Sequence, residues 1–362
     1  MSAYIARRLL LILPTLFGIL LINFCIIQAA PGGPVEQMIA TIQGHDAASA
    51  DRTSGGSVSF ESNNTTNNND YRGAQGLPPE IIEDIRKLYG FDKPAYQRFF
   101  DMLVSYATFD FGDSFFRNTS VIDLILEKMP VTISLGLWST LLIYLISIPT
   151  GIYKAVSHGS RFDIWTSFFV VIASAVPSFL LGILFIVLFA GGSFLDWFPL
   201  RGLTSPDFAD LSWFGKIKDY FWHLALPLTA YTLGGFATLT LLTKNSFLDE
   251  INKQYVTTAK AKGLTENTVL YKHVFRNAML IIISGFPAAF FSIFVAGSLL
   301  IEVIFSLDGL GLLGFESILN RDYPVIFGTL FIFTLFGLVI KLISDLLYVL
   351  IDPRIDFESR KI

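Results

Sequence analysis

KNSFLDEINKQYVTTAKAKGLTENTVLYKHVFRNA, residues Lys244 to Ala278, is the longest polar run in the last two thirds of the chain, and it lies between two long apolar runs. It holds six basic residues, Lys244, Lys253, Lys260, Lys262, Lys272 and Arg276. Read at helical period, Phe247, Ile251, Tyr255 and Ala259 form an i, i+4 stripe. Gly263 interrupts it, where a glycine can take the left-handed conformation that ends a helix. Thr265 is placed to cap a second short helix, with Leu270/Val274 and Tyr271/Phe275 as its i, i+4 pairs. Two short amphipathic helices around a glycine, hung between apolar runs, predict a docking surface.

The apolar runs are of membrane length. The chain of 362 residues is 52% apolar and 15% charged, against roughly 25% charged for a soluble domain. A spanning helix needs about 20 mostly apolar residues, and six stretches qualify: Leu9–Ala29, Val131–Tyr153, Ile164–Ala190, Leu224–Thr243, Met279–Ile301 and Val325–Ile351. The first five hold no Asp, Glu, Lys or Arg; the sixth holds Lys341 and Asp345. The first follows Arg7-Arg8 like a signal peptide. Its apolar core exceeds the usual 7–15 residues of a cleaved signal, so residues 1–29 read as a short tail and a retained anchor.

Orientation follows from counting Lys and Arg. With both termini inside, segments 1–8, 154–163, 244–278 and 352–362 hold 13 basic residues, while the short outside loops 191–223 and 302–324 hold four. The long outside segment 30–130 holds eight, but long loops weigh little in this rule. The docking stretch 244–278 and the tail 352–362 are therefore expected in the cytoplasm. The same rule explains the lysines of the stretch, Lys262 included, as a solvated collar.

Segment 30–130 exceeds a simple connection. Residues 44–76 are rich in Asn, Ser, Thr and Gly, have little to bury, and read as a mobile excursion. From Pro78 the pattern turns helical, predicting a small external helical subdomain over 78–106. Residues 131–351 then form a five-helix core. Pro149, Pro177, Pro227, Gly234-Gly235 and Gly285 with Pro287 interrupt its spans; such breaks persist in lipid only beside other helices or a water-filled cavity.

Catalytic patterns are missing. No Gly-x-x-x-x-Gly-Lys-Ser/Thr nucleotide loop occurs, and neither do His-Glu-x-x-His or Gly-x-Ser-x-Gly. One cysteine, Cys25, and four histidines give no metal cluster and no intrachain disulfide. Lys341 and Asp345, spaced i, i+4, read as a structural ion pair. Glu302, Asp308 and Asp322 read as solvated loop acids. No catalytic residue and no metal site is expected.

The docking stretch carries a resemblance. Tyr255-Val-Thr-Thr-Ala-Lys-Ala-Lys-Gly263-Leu264, followed by His273-Val-Phe-Arg-Asn-Ala278, resembles the EAA loop of ABC importer permeases, and more narrowly the peptide/nickel family. Thr257, Thr258, Ala259 and Gly263 occupy the acid, alanine, alanine and glycine positions of that loop. The acid and first alanine are threonines here, and the terminal Ile-x-Leu-Pro is replaced. Further matches run along the chain: Tyr4-Ile-x-Arg-Arg-Leu-Leu10, Ala30-Pro-Gly-Gly-Pro34, Phe111-Gly-Asp-Ser114, Trp222-His-Leu-Ala-Leu-Pro227, Gly309-Leu-Gly311, Arg321-Asp-Tyr-Pro324 and Asp352-Pro-Arg-Ile355. The long external insertion and the ending resemble the Yej-type subgroup of B-type subunits, which import oligopeptides and microcin C-type antibiotics.

The resemblance implies an all-α integral membrane protein with six transmembrane helices of the type I ABC importer permease fold and a large external loop after the first. It implies an inner-membrane permease, not an enzyme, that binds no cofactor itself. ATP and Mg would sit on two ATPase subunits or one fused tandem ATPase. A second permease subunit, a periplasmic solute-binding protein and membrane lipid complete the partners, with no nucleic acid. Tyr255, Thr257, Thr258, Ala259, Lys262, Gly263 and Leu264 would couple to the ATPases. Ser174, Ser178, Thr232, Thr238, Ser284 and Ser292 are candidates for a translocation path, equally well explained as hydrogen-bonding glue between helices. A nickel or other small-solute permease of the same family is the alternative. A stand-alone secondary transporter would instead want repeats and midplane charges.

Overall fold

The computed structural model describes residues 2–29, 83, 87, 91–191, 194–292 and 299–351. The Asn-rich stretch 44–76, the start of the expected external subdomain, the Pro-Gly-Gly-Pro motif and the tail 352–362 lie outside the described residues. The described chain is helical: α1 Ser2–Ala29, α2 Ala95–Ala107, α3 Val121–Val156, α4 Arg161–Ala175, α5 Ser178–Phe189, α6 Trp213–Ile251, α7 Gln254–Ala261, a turn Glu266–Thr268, a π-helix Val269–Val274, α8 Phe275–Ser292, α9 Leu299–Ile304, α10 Leu310–Asn320 and α11 Tyr323–Ile351.

Among the described residues four helices are long and apolar enough to cross a membrane, or five if the bent pair α4–α5 is one span. The expected span Met279–Ile301 is α8 followed by residues outside the description. Two spans run well beyond their apolar windows. α3 has 36 residues and α6 has 39, so they are about 54 and 58 Å long, against a hydrocarbon layer of about 30 Å. Their polar starts are locally capped: Ser120 Oγ accepts from the Asp123 N–H at 3.1 Å and Ser212 Oγ from the Gly215 N–H at 3.2 Å. Such caps satisfy donors that a helix start leaves unpaired.

The α4–α5 break bends the pair by 93°. Val176, extended at φ −96° and ψ 121°, precedes Pro177, and a residue before proline is pushed out of the helical region.

Two compact units divide the chain: Met1–Leu13, Ile125–Phe315 and Ile332–Ile362 form one, Pro14–Leu124 and Glu316–Phe331 the other. The sequence division at residue 131 differs, because residues 316–331 belong with the loop segment. There Asp322 accepts from Ser114 Oγ and the Phe115 N–H, Arg117 pairs with Glu316, and Tyr106 and Phe111 pack on Phe331. Asp322 is 3% exposed, not a solvated loop acid. Burial pushes its carboxyl up, against those two donors, which pull it down.

In the larger unit Glu302 is fully buried, a second correction. Its carboxylate accepts from the Leu312 N–H at 2.8 Å, and the glycines of Gly309-Leu-Gly311 leave the space it fills: a Cβ on Gly309 would stand 2.5 Å from the carboxyl carbon. Asp308 is exposed but pairs with Lys128. Lys341 is exposed, and Asp345 meets Arg8 at 2.9 Å; the expected i, i+4 pair yields to a partner from the first helix.

Candidate functional site

The docking stretch folds much as its pattern predicts, with one inversion. α6 ends at Ile251 and α7 follows within a few residues. α7 closes with Gly263 at φ +82°, the Gly263 N–H donating to Lys260 O at 2.9 Å and the Leu264 N–H to Ala259 O at 3.4 Å. That pair of bonds is the glycine-ended Schellman stop, open to glycine because it has no Cβ to clash. Thr265 then caps the next turn through the Thr268 N–H.

The faces sort themselves by burial. Val256 and Ala259 turn inward with Phe247, Val269, Val274 and Ala278. Ala259 is 7% exposed, so it packs α7 onto its own chain, and the position needs a small residue for that reason. Thr257, Thr258, Lys262, Gly263 and Leu264 all face outward. Tyr255 is half-buried and its hydroxyl donates to Glu250 at 2.7 Å. Burial and the neighbouring Glu250 carboxylate push that phenol up, so it stays a donor.

Beneath this surface lies a charge cluster absent from the sequence reading. Lys154, fully buried at the end of α3, meets Asp163 at 3.1 Å, the Thr166 hydroxyl at 2.6 Å and the Ser167 hydroxyl at 2.8 Å. Lys244 of α6 reaches the same carboxylate with 2.8 and 2.9 Å contacts, and His158 Nδ1 lies 3.2 Å away. Lys244 is thus no part of a solvated collar. Counting basic residues registers Lys154 and Lys244 only as loop charges; the lone Asp163 after a capping serine was the available signal.

A cavity of about 690 Å³ opens at the α4–α5 bend. Thr140 and Tyr144 of α3, Ser174 to Ser178 at the bend, Tyr231, Gly234 and Thr238 of α6, and Gly285 of α8 line it. Three expected path residues, Ser174, Ser178 and Thr238, therefore share one wall. Thr232 and Ser284 do not line it: their hydroxyls donate within their own helices to Leu228 O at 2.7 Å and Ile281 O at 3.0 Å. Ser292 ends α8, and its side chain lies outside the described residues. The sequence reading missed Thr140, Tyr144 and Tyr231; Thr140 Oγ1 is buried with no hydrogen-bond partner among the described residues. Among the described residues no charged side chain lines the cavity. A side chain at Gly285 would meet nothing within 4 Å at its Cβ. Gly285→Leu should therefore fill part of the cavity at unchanged thermal stability; a melting curve of the purified protein checks this.

Among the described residues no group of His, Cys, Asp and Glu could hold a metal ion. The site's features are a docking surface, a charge cluster and a cavity, joined by α6.

Residues 147–357 match the family described as binding-protein-dependent transport system inner membrane component. The chain is 63% identical to a peptidoglycan transport system permease protein YejB of Agrobacterium fabrum, covering all of both chains. It is 58% identical to an inner membrane ABC transporter permease protein YejB of Escherichia coli O157:H7, over 99% of this chain and all of that one. It is 35% identical to an oligopeptide transport system permease protein AppB of Bacillus subtilis, again over 99% and 100%. A solved structure of the MetNI methionine ABC transporter in inward-facing conformations aligns with TM-score 0.49 at 15% identity, covering 64% of this chain and 97% of that one.

Proposed function

Since the chain belongs to the family of binding-protein-dependent transport system inner membrane components, we propose that it is the permease subunit of an ATP-driven importer of peptides and peptide-like compounds. Members of such a family are multi-pass inner-membrane permeases, not catalytic subunits, and work with ATPase and solute-binding partners. The finer assembly belongs to the proposal: a second, related permease as heterodimer partner, two ATPases or one fused tandem carrying ATP and Mg, and both termini on the ATPase side. The relatives' names specify peptidoglycan and oligopeptide cargoes. The chemistry those share is the peptide, and microcin C-type antibiotics fall in the same class.

The observation that carries this reading is the outward face from Thr257 to Leu264, fixed at a glycine stop, with two residues separating α7 from the end of α6. When the ATPases close on nucleotide, a groove on one of them holds that face. α6 passes the movement to the cavity wall formed by Tyr231, Gly234 and Thr238. Inward- and outward-facing arrangements then trade populations because the ATPases bind one of them better.

The test separates docking from folding. Leu264 is 39% exposed, so Leu264→Asp should leave the melting temperature of the purified complex unchanged. It should also abolish ATP hydrolysis stimulated by a loaded binding protein. Ala259→Trp should instead lower stability, because that side chain is internal. Full stimulation of the Leu264→Asp complex, or peptide uptake by this chain alone without ATPases, would sink the proposal.

A further inference from the structure

A second pocket, of about 320 Å³, lies within the smaller unit, between the last turns of α1, helix α2 and the first turns of α11. Two apolar helices of membrane length bound it. The apolar span of α1 ends at Ala29 and that of α11 begins at Tyr323. Gln28 and Tyr323 therefore stand at the ends of these two apolar helices, and Phe24 and Phe327 about one turn further in. Those two rings pack at 6.0 Å and give the pocket an apolar floor.

Arg98 of α2 forms the polar end. Its Nη2 donates to Gln28 Oε1 at 3.0 Å, and its guanidinium carbon sits 4.3 Å above the centre of the Phe91 ring. Nε is buried without a hydrogen-bond partner among the described residues. The acids lining the pocket have other partners in its wall: Asp101 pairs with Lys93 at 2.7 Å, and Asp110 accepts from the Gly112 N–H at 3.1 Å. Burial lowers the Arg98 guanidinium, Tyr323 opposes this, and no carboxylate among the described residues does. A half-buried guanidinium with an open donor and no acidic partner among the described residues is suited to a phosphate, and the floor beneath it to a hydrocarbon chain.

We infer that this pocket is a binding site for one anionic phospholipid, its phosphate held by Arg98 and an acyl chain lying along Phe24 and Phe327. Arg98 sets headgroup selection; the ring floor is indifferent to charge. One basic residue near a lipid surface favours an anionic headgroup about fivefold over a zwitterionic one.

The experiment uses the full chain, co-expressed with its partners and purified in mild detergent. Phosphatidylglycerol, phosphatidylcholine and inorganic phosphate are titrated separately, and bound lipid is read by native mass spectrometry. Expected is about a fivefold preference for phosphatidylglycerol over phosphatidylcholine, lost in Arg98→Gln and partly kept in Arg98→Lys. Equal retention of both lipids by wild type, or the same preference in Arg98→Gln, overturns the inference. Saturation by inorganic phosphate alone makes this an anion site and overturns it too. Should Arg98→Gln fail to fold, a photoreactive phosphatidylglycerol on wild type decides: labelling within residues 91–115 supports the site. Labelling elsewhere, as when the chain's own segment beyond Ala29 covers the pocket, overturns it.

Discussion

Asp163→Ala should be the most damaging single change in the described chain, costing about 3–5 kcal/mol of stability. The size follows from what the substitution strands. Lys154 is fully buried and Lys244 nearly so, and both direct their ammonium groups at this one carboxylate. Removing one partner of a buried pair leaves an uncompensated charge away from water. The Thr166 and Ser167 hydroxyls can solvate Lys154 but cannot neutralise it. The purified complex should melt well below wild type and yield little monodisperse protein. A double change tests the cause: Lys154→Met in the Asp163→Ala background removes the stranded cation and should recover part of the loss. If Asp163→Ala melts within about 0.5 kcal/mol of wild type, the cluster is a surface ornament of the surface-pair kind.

Gly151→Ala should be next, although it adds one methyl group. A Cβ there would stand 2.6 Å from Thr243 Cβ and 2.8 Å from both Thr240 O and Thr243 Cγ2. Backbone and a β-branched side chain cannot step aside as a flexible side-chain tip would. α3 and α6 must separate, and overpacking of this kind costs about 1–3 kcal/mol. Gly234 supplies the control on the same helix pair: nothing lies within 4 Å of its Cβ position. Gly234→Ala should be neutral or gain a few tenths of a kcal/mol from helix propensity. Equal melting temperatures for the two variants would show that the α3–α6 approach is not tight.

What the sequence could and could not reveal divides along range. The docking stretch is legible because its signals are local: the stripe through Phe247, Ile251 and Tyr255, the glycine stop at Gly263 and the cap at Thr265 each act within a few residues. The break at Pro177 is legible for the same reason. Ala259 shows the limit: its place on the stripe was read correctly, yet which way the stripe faces depends on Val269 and Val274, supplied by the following segment. The ion pairs fail more thoroughly. Asp163 and Lys244 are far apart along the chain, and Arg8 and Asp345 lie at opposite ends of it, so spacing favoured Lys341 over the true partner. Glu302 and Asp322 were judged by the loops they sit in, whereas Gly309, Gly311 and Ser114 had already been singled out as motif residues. The motifs were the shells of those two acids, and only the folded chain joins shell to acid.

The two connections of the docking stretch differ in stiffness, and this gives the protein a mechanical polarity. On one side α6 runs unbroken for 39 residues, through Lys244 and into the cavity wall, like a pushrod. On the other side the stretch reaches α8 through the π-helix Val269–Val274, a winding with poorer hydrogen bonding that tolerates a change of register. In the proposed coupling, a displacement of α7 would cross the short break Asn252-Lys253 to reach the stiff α6, and the whole π-turn to reach α8. The stroke has a stiff arm and a compliant one.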